Sequence, residues 1–279
     1  MVKEKVLQFI GFLVDARRIS TDNPPGKYNV EKNMSATSVT RLYVSEPLGN
    51  AEVLKLGRDQ SHYLVNVMRV AAGTSILLFN GRDGEWQGTI AKANKKAVEI
   101  SLATQTRPQI SEPDVWLCFA PLKKDRTDFV IEKATELGIA RIQPVITERT
   151  QSTRVNVDRL AATAREASEQ SERLSVPGVE QPVTLSELLE SWPADRPLIH
   201  LDETGTGAPL AKVMMGRTDG IGFLIGPEGG FDPDEINTLN NHPATVAADL
   251  GPRILRAETA CVAALGVRQS IDDLPPQTP

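Results

Sequence analysis

Two short segments carry residue types suited to ligand binding or catalysis. The first, Gly226-Pro-Glu-Gly-Gly-Phe231, follows the apolar run Phe223-Leu-Ile225. Three glycines and a proline within five residues make a tight loop whose amides can approach a ligand closely, because no Cβ stands in the way. Asp232-Pro-Asp-Glu235 then opens a helix, with Asp232 as N-cap, Pro233 in the first turn and Glu235 as capping-box partner. A plain strand-to-helix turn is the competing reading, but such turns seldom need two adjacent glycines. The second segment, Leu250-Gly-Pro-Arg-Ile-Leu-Arg-Ala-Glu-Thr-Ala260, also leaves an apolar run and enters a helix. It sets Arg253, Arg256 and Glu258 near a loop mouth. Ligands of open α/β sheets bind beyond the carboxyl ends of the strands, so these two loops are the first place to expect a site.

A third cluster, Arg165-Glu-Ala-Ser-Glu-Gln-Ser-Glu-Arg173, is ambiguous. Glu166, Gln170 and Arg173 share one helical face at i, i+4 and i+7. Glu169 and Arg173 form either a solvated i, i+4 pair, worth roughly 0.2–0.5 kcal/mol, or one wall of a site. Ala161, Ala164 and Ala167 on the opposite side let the helix pack closely.

Other chemistries lack their signatures. There is no GxGxxG after an early strand and no GxxxxGK[ST], which removes Rossmann nucleotide binders and P-loop NTPases. Cys118 and Cys261 are far apart, and His62, His200 and His242 show no zinc spacing, so no metal is expected. The apolar run Val6–Val14 is too short to cross a bilayer. Lys3 and Lys5 precede it, but Asp15-Ala-Arg-Arg18 follows where a signal peptide would have a small-residue cleavage site. A reduced, cytoplasmic protein without membrane or metal is the expectation. With 40% hydrophobic and 24% charged residues the chain is globular, and its net charge of −5 does not advertise a nucleic-acid partner. Residues 38–110 nevertheless hold nine Lys/Arg against six Asp/Glu, whereas residues 111–279 hold sixteen against twenty-six. A mildly basic module on an acidic body fits that split.

The elements that must position these residues fall into two rhythms. Residues 1–37, with the turn cluster Asp22-Asn-Pro-Pro-Gly26, read as an extension outside the fold. Residues 38–110 read as β: Ser75–Phe79, the turn Asn80–Gly84, Glu85–Ile90, a turn at Lys92–Lys96 and Ala97–Leu102. A short helical piece at Ser61–Val70 interrupts them, and the spacing suggests a small barrel. From residue 111 onward strands and helices alternate, which predicts an α/β domain with a mostly parallel sheet. The strands are Val115–Ala120, Ile139–Ile146, Pro197–Leu201, Gly222–Ile225 and Thr245–Leu250. Asp125 is expected to cap a helix ending at Gly138, Asn156 to open a long helix over Val157–Arg173, and Thr184-Leu-Ser-Glu187 to form a capping box.

Taken together, Gly226–Phe231, Leu250–Ala260, Glu166–Pro177 and Lys133-Ala-Thr-Glu-Leu-Gly138 resemble the small-subunit ribosomal RNA methyltransferase E family. These are the 16S rRNA (uracil-1498-N3)-methyltransferases of the SPOUT class. Arg41-Leu-Tyr43, His62-Tyr-Leu-Val-Asn-Val-Met-Arg69 and Phe79-Asn-Gly81 resemble that family's PUA-like barrel. The extension has no counterpart there, and Glu172 stands where the family often has glycine. The resemblance implies a SPOUT (α/β knot) domain with a deep trefoil knot over 111–279, preceded by a PUA-like RNA-binding barrel over 38–110. It further implies S-adenosylmethionine as cofactor, a homodimer, and 16S rRNA within the 30S subunit as partner. Carried over by position, the cofactor meets Leu201, Ile225, Gly226, Pro227, Glu228, Gly229, Gly230, Leu250, Gly251, Ile254, Leu255 and Arg256. Gly229 is expected to be a place where a branched side chain would exclude it. The expected RNA contacts are Arg41, Arg69, Lys123, Lys133 and Arg149. Uracil N3 carries a proton and is a poor nucleophile until that proton leaves, so a proton acceptor and donors to O2 or O4 are required. Glu169 is the candidate for the first, with Glu258 next in line, and Arg173 or Arg256 for the second. The rival reading is a non-catalytic RNA-binding protein with a dimerising α/β body, against which the retention of both glycine-containing loops argues.

Overall fold

The computed structural model of the chain describes residues 39–49, 53–202, 204–205, 207–216 and 220–272. The expected extension over 1–37 lies outside them. The first sheet is built from β1 (Thr40–Tyr43), β2 (Val53–Lys55), β3 (Ser75–Phe79), β4 (Glu85–Lys92) and β5 (Glu99–Arg107), in the order β1-β3-β4-β5-β2. Alternation fills its core: Leu42, Leu54, Ile76, Leu78, Ile90 and Ile100 are all buried. The β3–β4 connection is the turn expected at Asn80–Gly84. The Asn80 side chain accepts from the amides of Arg82 and Asp83, and Gly81 and Gly84 take positive φ. A Cβ on Gly84 would stand 2.2 Å from the Arg107 carbonyl oxygen, so only glycine fits. Three register shifts between β4 and β5 bend the sheet. The helical piece lies slightly earlier than expected, as α1 (Arg58–His62) followed by a π-helical turn, Tyr63–Val67.

The second sheet has eight strands: β6 (Val115–Phe119), β7 (Arg141–Ile146), β8 (Gly178–Val179), β9 (Val183–Thr184), β10 (Leu198–Leu201), β11 (Ala208–Pro209), β12 (Ile221–Ile225) and β13 (Thr245–Asp249). Every pairing in it is parallel, in the order β11-β13-β10-β12-β6-β7-β8, with β9 also on β7. Strands buried on both faces read as unbroken apolar runs, and Ile221–Ile225 is buried at all five positions. The helices between strands are α2 (Lys124–Glu136), α3 (Val157–Gln170), α4 (Leu185–Ser191), α5 (Leu210–Met214), α6 (Pro233–Asn241) and α7 (Ala257–Asp272). The strand order sets the carboxyl ends of β13, β10, β12 and β6 side by side.

Asn156 accepts from the Arg159 amide, and capping boxes close at Thr184–Glu187 and Asp232–Glu235, as expected. Asp125 is not a cap. Lys123 holds the N-cap position of α2 without a side-chain bond, and the Thr127 hydroxyl instead closes the turn onto the Leu122 amide and carbonyl at 3.0 and 2.9 Å. Helix α3 stops at Gln170 rather than at Arg173. Glu172 takes a φ of +60°, and the Arg173 amide donates to the Ser168 carbonyl at 3.2 Å, as in a Schellman ending. The left-handed backbone at 172 is a conformation that glycine adopts more readily than glutamate. Arg173 therefore leaves the helix, and the face it was expected to share with Glu166 and Gln170 does not exist.

Candidate active site

A cleft of about 510 Å³ opens where the segments following β10, β12 and β13 meet the start of α2. Its glycine loop is firmly held. The Gly230 amide donates to the Pro227 carbonyl, Arg149 donates to the Gly229 carbonyl at 3.0 Å, and the Asp232 box fixes the exit into α6. Gly230 and Gly251 take φ of +67° and +102°, conformations that side chains rarely adopt. A Cβ on Gly226 would approach the buried Phe231 ring to 3.0 Å. Across from this loop, the Gly251 amide donates to Asp249 at 2.8 Å. Backbone amides and carbonyls stand beside the apolar side chains of Ile225, Leu250 and Leu255, a lining suited to a flat heterocycle.

Charge enters through Arg126, in the first turn of α2. Its Nη1 lies 3.6 Å from Glu228 and its Nε 3.6 Å from Glu258. The second oxygen of Glu258, Oε2, is buried without a hydrogen-bond partner among the described residues. Behind the cleft, burial pulls the His200 imidazole below its ordinary pKa and pushes the Cys118 and Cys261 thiols well up, so all three are neutral near pH 7.

Of the residues expected to meet a cofactor, Leu201, Ile225, Gly226, Pro227, Glu228, Gly230, Leu250, Gly251, Ile254, Leu255 and Arg256 line this one cleft. Gly229 does not. A Cβ there would face Arg149, 3.6 Å from its Cδ, so a side chain would turn away from the cleft. Ile254 is 88% exposed at the rim. Arg126, Asp202 and Thr204 also line the cleft and were not singled out. The signal that finds Arg126 and Asp202 is position, since each follows the carboxyl end of a strand.

Glu169 and Arg173 lie elsewhere, at the contact between the two sheets' regions. Arg173 is 7% exposed, and its guanidinium donates to the carbonyls of Thr135 at 2.7 Å and Ile139 at 2.9 Å, with Glu112 3.3 Å from Nε. Those donors are spent inside the protein, which corrects the expectation that they serve a substrate. Glu169 accepts the Tyr43 amide at 2.9 Å and makes no pair with Arg173. Burial raises its pKa against that hydrogen bond. Arg41, expected on RNA, is turned inward. It stacks on Phe79, pairs with Glu85 at 2.8 Å, and donates to the carbonyls of Ser168, Glu169 and Arg173 at 2.8–3.1 Å. It closes the carboxyl end of α3, where a cation is favoured. Among the other expected RNA contacts, Arg69 (φ +55°) and Lys123 are exposed, Lys133 pairs with Glu132 and Glu136, and Arg149 braces the glycine loop.

Among the described residues no helix is long and apolar enough to cross a membrane, and no group of three His, Cys, Asp or Glu could hold a metal.

Comparison with known proteins places this geometry. The RNA methyltransferase domain family matches residues 110–269, and the RNA methyltransferase PUA domain family matches residues 56–103. The chain is 33% identical over 226 residues to the ribosomal RNA small subunit methyltransferase E of Rickettsia conorii, covering 81% of this chain and 93% of the relative. It is 28% identical to the same protein of a Synechocystis species, covering 92% and 87%. Among solved structures, one from Legionella pneumophila, described as a methyltransferase with the cofactor SAM bound, superposes with a TM-score of 0.76 at 30% identity, covering 83% of this chain and 97% of that one. The methyltransferase E of Neisseria gonorrhoeae bound to S-adenosyl methionine gives 0.75 at 28% identity, covering 84% and 98%.

Proposed function

The chain belongs to the ribosomal RNA small subunit methyltransferase E family, and from that premise we propose that it methylates N3 of the 1498-equivalent uridine of 16S rRNA, using S-adenosylmethionine. The observation that carries the reading is the cleft itself, where two glycine-containing loops converge at neighbouring strand ends. The residues fit the cofactor. Gly226 packs where a Cβ would crowd Phe231, Gly230 and Gly251 hold positive φ, and apolar Ile225, Leu250 and Leu255 offer faces for an adenine. When bound, the cofactor supplies an electrophilic methyl on a sulfonium. The chain's part is to hold the methyl acceptor in line and to exclude misaligned approaches, because this reaction needs position more than covalent help.

The rest of the reading follows the same family. Residues 38–110 present the RNA and residues 111–279, threaded as a trefoil knot, carry the chemistry. The working unit is a homodimer in the cytoplasm acting on the 30S particle. Of the expected contacts, the exposed Arg69 and Lys123 are available for phosphates, whereas the buried Arg41 is not. A strain lacking the gene, complemented with the wild-type chain, tests the proposal by mass mapping of modified uridines in small-subunit rRNA. Loss of one N3-methyluridine and its return on complementation are expected. An unchanged uridine map would refute it. Tight cofactor binding without any lost methyl would instead favour the non-catalytic RNA-binding reading.

A further inference from the structure

We propose that Arg126 is the group that meets the uracil carbonyls during methyl transfer, and that Glu228 and Glu258 position it; this rests on the methyltransferase reading above. Arg126 lines the cleft, and its side chain is 37% exposed. Both of its carboxylate neighbours stand at 3.6 Å, beyond hydrogen-bond length, one on the glycine loop and one in the first turn of α7. The guanidinium is thus attracted from two sides yet donates no hydrogen bond to a described residue. Glu258, whose Oε1 faces Arg126 Nε, keeps Oε2 buried and without a hydrogen-bond partner among the described residues. Asp202 and the exposed Arg253 and Arg256 are the other charged residues of the described lining.

The chemistry asks for such a group. When N3 gives its proton to water, negative charge spreads onto O2 and O4. N3 then forms the new bond to the methyl carbon, while the electron pair of the breaking C–S bond returns to the cofactor's sulfur. A planar guanidinium with unspent donors can bind a carbonyl edge as charge develops there.

The test uses the full-length chain, S-adenosylmethionine calorimetry, and single-turnover methylation of 30S particles. Arg126→Ala should keep the cofactor Kd within about threefold, which also reports an intact fold, and slow transfer about 100- to 1,000-fold. The deficit should narrow as pH rises, since solution then supplies the uracil anion. Arg126→Lys, a point charge without the fork, should recover only part of the rate. Glu258→Gln should slow transfer about tenfold, a fraction of the loss from removing a donor outright, with the cofactor Kd unchanged. Cofactor affinity falling in step with rate would assign Arg126 to the cofactor and overturn the proposal. So would a rate within about threefold of wild type, or a deficit constant with pH. A wild-type chain that binds cofactor but leaves the particles unmethylated would refute the function itself, and the inference with it.

Discussion

Two arginine–glutamate clusters built from the same residue types do opposite work. At the contact between the sheets, Arg41 and Glu85 have side chains 7% and 6% exposed, and Glu85 accepts from Arg41, Arg107 and Thr106 at 2.6–3.1 Å. Arg41 also donates there to the carbonyls of Ser168 and Glu169 at the end of α3 and of Arg173 just beyond it. At the cleft, Arg126 stands 3.6 Å from Glu228 and from Glu258, all three only partly exposed, with one buried oxygen of Glu258 unbonded. A satisfied buried network rigidifies, whereas a loose one keeps hydrogen-bonding capacity that a ligand can use. Residue type alone does not separate glue from function; the state of the donors does.

The comparison is broken most directly by stability. Arg41→Ala removes a buried partner of Glu85 and strips two helix-end carbonyls and that of Arg173, and should cost about 3–5 kcal/mol in urea unfolding. Arg126→Ala should cost under about 1 kcal/mol, as exposed pairs do. Equal losses would erase the distinction drawn between the clusters.

A pair of glycine variants sharpens it on the cleft side. Gly230 takes a φ of +67° and lines the cleft, so Gly230→Val should strain the backbone by about 1–2 kcal/mol and lower cofactor affinity at least about tenfold. Gly229→Val meets only Arg149, at ordinary contact distance, and should leave affinity within about threefold. Calorimetry on both proteins decides it, and equal losses would return Gly229 to the binding surface.

Acid separates the clusters next. Burial pushes the Glu85 carboxyl up, but hydrogen bonds from Arg107, Thr106 and Arg41 outweigh it and hold the group below its usual range. A depressed folded-state pKa gives stability that is present above the unfolded value of 4.5 and lost as pH falls through the folded one. Glu85→Gln should therefore be less stable than wild type at neutral pH, with the gap closing below about pH 4.5 as measured by urea midpoints. A gap that persists into acid would mean that packing, not charge, dominates at this contact.

Much of this was legible in the chain and some was not, for identifiable reasons. The capping boxes at Thr184 and Asp232, the Asn80–Gly84 turn and the two glycine loops were readable because each is local chemistry. Two-residue strands such as Gly178–Val179 and Ala208–Pro209 are too short to show a period. Arg126 was hidden because Lys123-Lys-Asp-Arg126 looks like solvated surface. It reaches Glu228 only because β6 pairs with β12, whose partners Cys118 and Leu224 lie 106 residues apart in sequence, and helical or strand periodicity cannot reveal such a pairing. Arg173 was misplaced because a Glu at position 172 gives no hint of a left-handed turn, and the periodicity ran straight through the true helix end.

The smallest expected effect tests the contact region most finely, because it asks whether Glu169 belongs to the glue or to the chemistry. Glu169 accepts the Tyr43 amide, and burial raises its pKa, so its ionised form is disfavoured in the fold. A raised carboxyl contributes stability below the unfolded value of 4.5 and loses it as pH rises through the folded one. Glutamine keeps the accepting oxygen and removes the charge, so Glu169→Gln should be neutral or slightly stabilising at pH 7, by less than about 1 kcal/mol. Glu169→Ala leaves the Tyr43 amide without its partner and should cost about 1–3 kcal/mol. Neither change touches a residue lining the cleft, so single-turnover methyl transfer should stay within about threefold for the glutamine variant. A hundredfold loss with stability intact is the size expected of a general base. That outcome would carry the reaction to the contact between the sheets and leave Arg126 as one more surface arginine.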